Sequence, residues 1–187
     1  MKGIAEGAKV ELNDIILLNA RSELMNSLWS LSPIHEGCTT CCIAAKNGQK
    51  RYVAQTWDWT YLTKDKILIV ISRLKNGFNF LTITEPGIVG NIGINNKGLG
   101  VFLNYLPVLE SNQYGAPYHV LLRRALESYD IEDLQRNIIR SPIAFAIHIL
   151  VADQVGEIYS YELTANGIDF TKQTNKNFIH TNHILDS

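Results

Sequence analysis

One short stretch, His35-Glu36-Gly37-Cys38-Thr39-Thr40-Cys41-Cys42, holds all three cysteines of the chain. Three kinds of chemistry fit it. Cys38 and Cys41 have the C-x2-C spacing of a zinc knuckle, but a structural zinc site needs four ligands and no second cysteine pair follows. His180 and His183 could reach in only from afar, so no metal is expected. Cys41 and Cys42 read as small apolar residues on alternating faces of a strand. Cys38 differs through its neighbours. Gly37 places no side chain beside the carbonyl that a following thiol could attack, and an extended run starts at Thr39. Addition of the Cys38 thiolate to the Gly37 carbonyl would move the acyl group from nitrogen to sulfur. Hydrolysis of that thioester would leave Cys38 as a new N-terminal residue. Its freed α-amine has an intrinsic pKa of about 7.7–8.0, against roughly 8.5 for the thiol, so it can act as the base without a histidine. The dipeptide permits this chemistry without requiring it.

What must position such a residue is set first by composition. A chain of 187 residues with 46% apolar and 19% charged content suits one well-cored domain. Seventeen basic residues face eighteen acidic ones with no basic run, which argues against nucleic acid as a partner. No apolar run reaches membrane-spanning length, and the first twenty residues lack a signal-peptide core. Three cysteines within five positions close no useful disulfide loop, and a reducing, cytoplasmic setting is expected.

The spacing of Leu12, Ile15, Ile16, Leu18, Met25 and Leu28 predicts one amphipathic helix that ends before Pro33. Beyond it, short apolar runs predict strands over 39–45, 51–57, 67–74, 78–84, 89–94 and 99–105. The links at 46–48, 75–77 and 95–98 are rich in Asn and Gly, which suits antiparallel hairpins. Pro117 opens one helical pattern and Asp130 caps a second. After Pro142, "AFAIHILVAD", "EIYSYEL", "GIDFTK" and "FIHTNH" read as further strands. Strand runs interrupted by paired helices predict an α+β fold with helices on antiparallel sheet.

"EGCTT", "GQKRYVAQTWDW", "ITEPGIVGNIGINNKGLGVFLNYL", "HVLLRRALES" and "HTNH" together resemble, in order and spacing, the acyl-coenzyme A:6-aminopenicillanate acyltransferase family. These are the C45 peptidases among the N-terminal-nucleophile hydrolases. The resemblance implies a four-layer αββα sandwich of antiparallel sheets. It implies a precursor that cleaves itself between Gly37 and Cys38, giving a propeptide or small subunit (1–37) and a nucleophile-bearing subunit (38–187) that stay associated. The family nucleophile falls on Cys38, the aspartate of its Trp-Asp pair on Asp58, and the asparagine of its His-Thr-Asn-His motif on Asn182. Asp58 would orient the new amine through a charge-assisted hydrogen bond, and Asn182 would donate to the oxyanion. Asn104 and Thr181 are weaker candidates for contacting substrate. His180 and His183 are expected to pack or position, Glu85 to serve a turn, and His35 to lie in an exposed loop.

The substrates implied are a small-molecule acyl donor, with an acyl-coenzyme A thioester among the possibilities, and an amine or amide. No permanently held cofactor is expected. Two alternatives remain: a dedicated N-acyl amide hydrolase, and an inactive paralogue that packs against a partner. Members of the family also carry sequence before the helix at Leu12 and, after the His-Thr-Asn-His motif, further strands and an arginine near the active site. The domain is therefore expected to be partial at both ends.

Overall fold

The computed structural model describes residues 1–29, 37–45, 50–108, 110–173 and 177–185. Pro33, His35, Glu36 and the 46–48 turn lie outside the described residues. The chain begins with helices α1 (Lys2–Ala8), α2 (Leu12–Asn19) and α3 (Arg21–Trp29). The single helix expected over 12–28 is thus two, meeting at Ala20, and α1 precedes them where the spacing predicts none. The break has a cause in Asn19, which is fully buried. Its Nδ2 donates to the Ile15 and Gly87 carbonyls, and its Oδ1 accepts the Val89 N–H. A side chain that returns to its own helix and also holds a distant loop fixes where the axis turns.

Strands β1 (Cys38–Ala44) and β2 (Arg51–Trp57) pair antiparallel. They are followed by a 3-10 turn (Tyr61–Lys66), then β3 (Leu68–Arg73), β4 (Asn79–Thr84), β5 (Ile92–Asn95) and β6 (Gly100–Tyr105). Helices α4 (Tyr118–Leu126) and α5 (Ile131–Ile139) precede β7 (Ile147–Ala152), β8 (Ile158–Thr164), β9 (Gly167–Lys172) and β10 (Phe178–His180). The pairings between these strands are all antiparallel, in a three-stranded sheet β10-β1-β2 and a seven-stranded sheet β3 through β9 in chain order. The hairpins turn where the sequence places Gly at positive φ, at Gly77, Gly98 and Gly156.

Period-two alternation divides each central strand between two layers. From β6 and β7, Val101, Ile147, Ile149 and Val151 face the helices. They meet the α4 stripe Leu121, Leu122, Ala125 and Leu126, and Leu134 and Ile138 of α5. On the other side, Phe102 and Leu150 meet Cys42, Val53 and Phe178 of the small sheet. Helices, large sheet and small sheet make three stacked layers. The outer face of the small sheet leaves Ile43, Tyr52 and Ile179 exposed. No helix of the described residues is long and apolar enough to cross a membrane.

Candidate active site

Cys38 opens β1 at the edge of the intersheet layer. The ladder sets it opposite Trp57, and Thr40 and Cys42 follow on the same face. Cys41 points to the outer face. Burial pushes the Cys42 thiol up, which keeps it protonated and unreactive. Of the three cysteines, only Cys38 stands at a strand end, next to residues brought from far along the chain.

Asn182 is the foremost of these. Its Oδ1 accepts the backbone N–H of Cys38 at 2.6 Å, and its Nδ2 donates to the Tyr105 carbonyl at 2.7 Å. A backbone N–H can only donate and a carbonyl can only accept, so the two partners fix which end of the carboxamide is which. Asn182 therefore grips the nitrogen of the Gly37–Cys38 bond. Of its two amide N–H groups, one goes to Tyr105 and the other makes no hydrogen bond among the described residues.

Asp58 lies one residue past the Cys38–Trp57 pair, on the Gly37 side, and is exposed. It makes no hydrogen bond among the described residues. Thr181 is half-buried and shares a 2.8 Å hydrogen bond with Nδ1 of the exposed His183.

Asn104, expected to contact substrate, is instead completely buried with its hydrogen-bonding capacity used up. Its Oδ1 accepts from Thr40 Oγ1 at 2.7 Å and from His148 Nδ1 at 2.8 Å. Its Nδ2 donates to the Cys38 carbonyl at 2.8 Å and to the His180 carbonyl at 3.4 Å. One side chain thus ties β6 to β1, β7 and β10. Asn182 and Asn104 hold the two sides of Cys38, one at its N–H and one at its C=O.

The network runs deeper than the sequence reveals. His148 gives its Nδ1–H to Asn104, so its Nε2 accepts from Ser160 Oγ at 2.9 Å, and the ring is neutral. Burial, with His180 adjacent, holds its pKa down to about 2. His180 stacks on it at 3.5 Å between ring centroids with planes 3° apart. His180 Nδ1 donates to the Thr181 carbonyl at 2.7 Å, and its Nε2 meets Glu162 Oε1 at 2.7 Å. Glu162 also accepts the Leu185 N–H at 2.8 Å. A carboxylate therefore accompanies His180, a partner that the sequence gives no sign of. Gln55 adds a further tie between the sheets, since its amide exchanges two 2.8 Å hydrogen bonds with the backbone of Leu103. Among the described residues, no group of three His, Cys, Asp or Glu could hold a metal ion.

Glu85 serves its expected turn, its carbonyl accepting the Ile88 N–H at 3.2 Å, but its carboxylate is buried and paired with Arg21. With Asn19, and with Glu23 accepting the Tyr118 N–H at 2.8 Å, this pair fastens the helices before Gly37 to the loop between β4 and β5 and to the start of α4.

Residues 43–187 match the model of the family described as acyl-coenzyme A:6-aminopenicillanic acid acyl-transferase. The 40 kDa form of acyl-coenzyme A:6-aminopenicillanic-acid-acyltransferase from Emericella nidulans is 33% identical over 98% of this chain and 50% of its own length. The chain thus spans about half of that relative. Among solved structures, a Caenorhabditis elegans ortholog of N-acylethanolamine-hydrolyzing acid amidase superposes with a TM-score of 0.58 at 18% identity, over 79% of this chain and 70% of that one. A mutant of conjugated bile acid hydrolase from Clostridium perfringens gives 0.51 at 16% identity, over 75% and 52%. Both share the N-terminal-nucleophile hydrolase type of fold. On these matches, and with its antiparallel sheets stacked as that fold requires, the chain belongs to the acyl-coenzyme A:6-aminopenicillanic acid acyl-transferase family.

Proposed function

We propose that the protein is a self-processing N-terminal-cysteine enzyme that transfers or hydrolyses acyl groups on amide nitrogen through a thioester on Cys38. The observation that supports it best is the pair of asparagines on either side of Cys38, above all Asn182 Oδ1 at 2.6 Å from its nitrogen. In the processing step the Cys38 sulfur adds to the Gly37 carbonyl carbon. The C–N bond breaks, and the nitrogen takes up a proton to become an amine still held by Asn182. Water then hydrolyses the thioester, giving a Gly37 carboxylate and the Cys38 thiol.

In turnover, the Cys38 amine accepts the thiol proton and the sulfur attacks an acyl carbonyl. The leaving group departs with that proton, and an amine or water discharges the thioester. The second N–H of Asn182 stabilises the oxyanion, a contribution of about 2.7–4 kcal/mol where such donors have been removed elsewhere. Asp58, at the Gly37 side, orients the amine. A coenzyme A thioester as donor and an amine as acceptor are the reactants that the name of the Emericella nidulans relative states, and this chain is assigned the same classes. The 1–37 segment stays bound after the cut through Asn19, Arg21 and Glu23.

The test is covalent. Brief incubation with acyl-coenzyme A, or with a simple N-acyl amide, followed by acid quench should add one acyl mass to the peptide that begins at Cys38. Supply of an amine should discharge it to a new amide, and water alone to the free acid. An acyl group found elsewhere, or on Cys38→Ala protein, would contradict the assignment.

A further inference from the structure

A ring of buried and half-buried polar side chains, unused by the chemistry above, lies where α3 and α4 meet the ends of β4 and β5. Arg21 pairs with Glu85, and its guanidinium lies 5.4 Å from the Trp59 ring centre. Thr84 precedes Glu85, and the β4–β5 ladder carried one step past its Ile83–Ile92 pair sets Thr84 opposite Asn91. Beside Asn91, the Gly90 carbonyl takes the Nδ1–H of His119 at 3.0 Å. Next to His119, Tyr118 gives its N–H to Glu23, which returns to Arg21 along α3.

Atoms around this ring are buried without a hydrogen-bond partner among the described residues. Two are donors, Arg21 Nε and Trp59 Nε1. Four are acceptors: Glu23 Oε2, Glu85 Oε1, Asn91 Oδ1 and His119 Nε2, the last because Nδ1 carries the ring proton. The Thr84 hydroxyl can do either. Thr84, Glu85, Asn91 and His119 are each at least 97% buried. Buried polar atoms are rarely left unpaired, and the excess here is of acceptors, with two carboxyls against one guanidinium.

We propose that this ring binds a primary ammonium group carried by the substrate. An ammonium brings three donors and one positive charge, which answers both the acceptor excess and the charge balance. A metal ion fits less well. Glu23, Glu85 and His119 do not form a metal-holding group, and the Arg21 guanidinium already stands among them. The ring also lies at the Cys38 end of the sheets. Trp59 is the second residue past the Trp57–Cys38 pair, and Tyr105, whose carbonyl holds Asn182, has its phenol pushed up to about 12 by burial and by Glu23. Assigning the ammonium to a substrate rests on Cys38 as the acyl-transfer nucleophile; the ring itself does not. Because Arg21 and Glu23 precede Gly37, both cleavage fragments contribute to the site.

The test is titration calorimetry on the Cys38→Ala protein with n-butylammonium, n-butanol and tetramethylammonium. Saturable binding of n-butylammonium is expected, at least tenfold tighter than either control, since butanol lacks the charge and tetramethylammonium lacks the N–H donors. Glu23→Gln should weaken it at least tenfold, and Thr84→Val by a smaller factor, each with a thermal melt showing a folded protein. Binding should also weaken as pH falls, because burial raises the Glu23 pKa and the bound form needs its carboxylate. No saturable binding, equal binding of the controls, or indifference to both variants would overturn the proposal and leave the ring filled by water alone. Ammonium binding by a wild-type chain that stays uncut would instead sustain the ring while removing Cys38 from it.

Discussion

The two faces of the seven-stranded sheet are built to opposite rules. Toward the helices, β7 presents Ile147, Ile149 and Val151 to α4 and α5 in an apolar contact. Toward the small sheet, the same strand presents His148 and Leu150. Around His148 gather Thr40, Asn104, Ser160, Glu162 and His180, all buried. Apolar packing tolerates repacking, because any well-filled arrangement of similar volume gains nearly the same free energy. A buried polar layer is less forgiving, since each hydrogen bond nets only about 1 kcal/mol while an unpaired group costs about 1–3 kcal/mol. Only one register satisfies Asn104 four times over. The helix face supplies stability, and the sheet face spends little of it to hold the two asparagines on either side of Cys38 in one geometry.

The comparison can be broken at either face. On the helix side, Leu126→Ala removes a fully buried side chain and should cost about 2–5 kcal/mol in denaturant unfolding, with cleavage at Gly37–Cys38 unchanged wherever the protein is folded. On the sheet side, Asn104→Leu leaves the Cys38 carbonyl, Thr40 and His148 without their partner, at a cost of about 1–3 kcal/mol for each group, and should abolish cleavage even where the protein is folded.

A subtler contrast lies in the two buried histidines, one on each face. Burial holds His119 down to about 3 and His148 down to about 2, against about 6.5 when unfolded. Between those values the unfolded chain binds more protons, so stability rises with pH there. It is lost as pH falls below about 6.5, with a limiting slope of about 1.4 kcal/mol per pH unit for each histidine. His119→Gln and His148→Gln should each remove one histidine's share of the slope between pH 6 and 4, about 1.4 kcal/mol per pH unit at most, and only His148→Gln should also slow cleavage. The smallest effect belongs to Thr40→Val, which deletes one of the two donors to Asn104 Oδ1. It should cost about 0.5–1.5 kcal/mol and slow cleavage without stopping it.

Much of the fold is legible in the sequence because its cues are local. Gly at 77, 98 and 156 marks the hairpins, and Pro117 and Asp130 mark the helix starts. Asn182 is singled out by its motif and Cys38 by its dipeptide as well, and the structure sets the two in hydrogen-bond contact. What stays hidden depends on pairing across the sandwich. β7 is buried on both faces, so "IHILVA" reads as a continuous apolar strand in which one histidine signals no partner. Glu162 in "IYSYELT" looks like an ordinary strand carboxylate until β10 brings His180 to it. Asn104 stands out as a polar residue in an apolar strand, but sequence shows an amide and not the four groups that saturate it, so a structural tie passes for a substrate contact. The break at Ala20 is hidden for the same reason: its cause, Gly87, lies 68 residues from Asn19.

The proposed self-cleavage requires the small-sheet face to position Cys38 for attack on its own preceding peptide bond. Intact-mass spectrometry of the purified wild-type protein and its Cys38→Ala variant under native and denaturing conditions tests it most directly. The wild type should give two chains, 1–37 and 38–187, which migrate together when native and separate when denatured, while Cys38→Ala gives one. A folded wild-type protein that remains one chain, or a Cys38→Ala protein cut at the same bond, would contradict it.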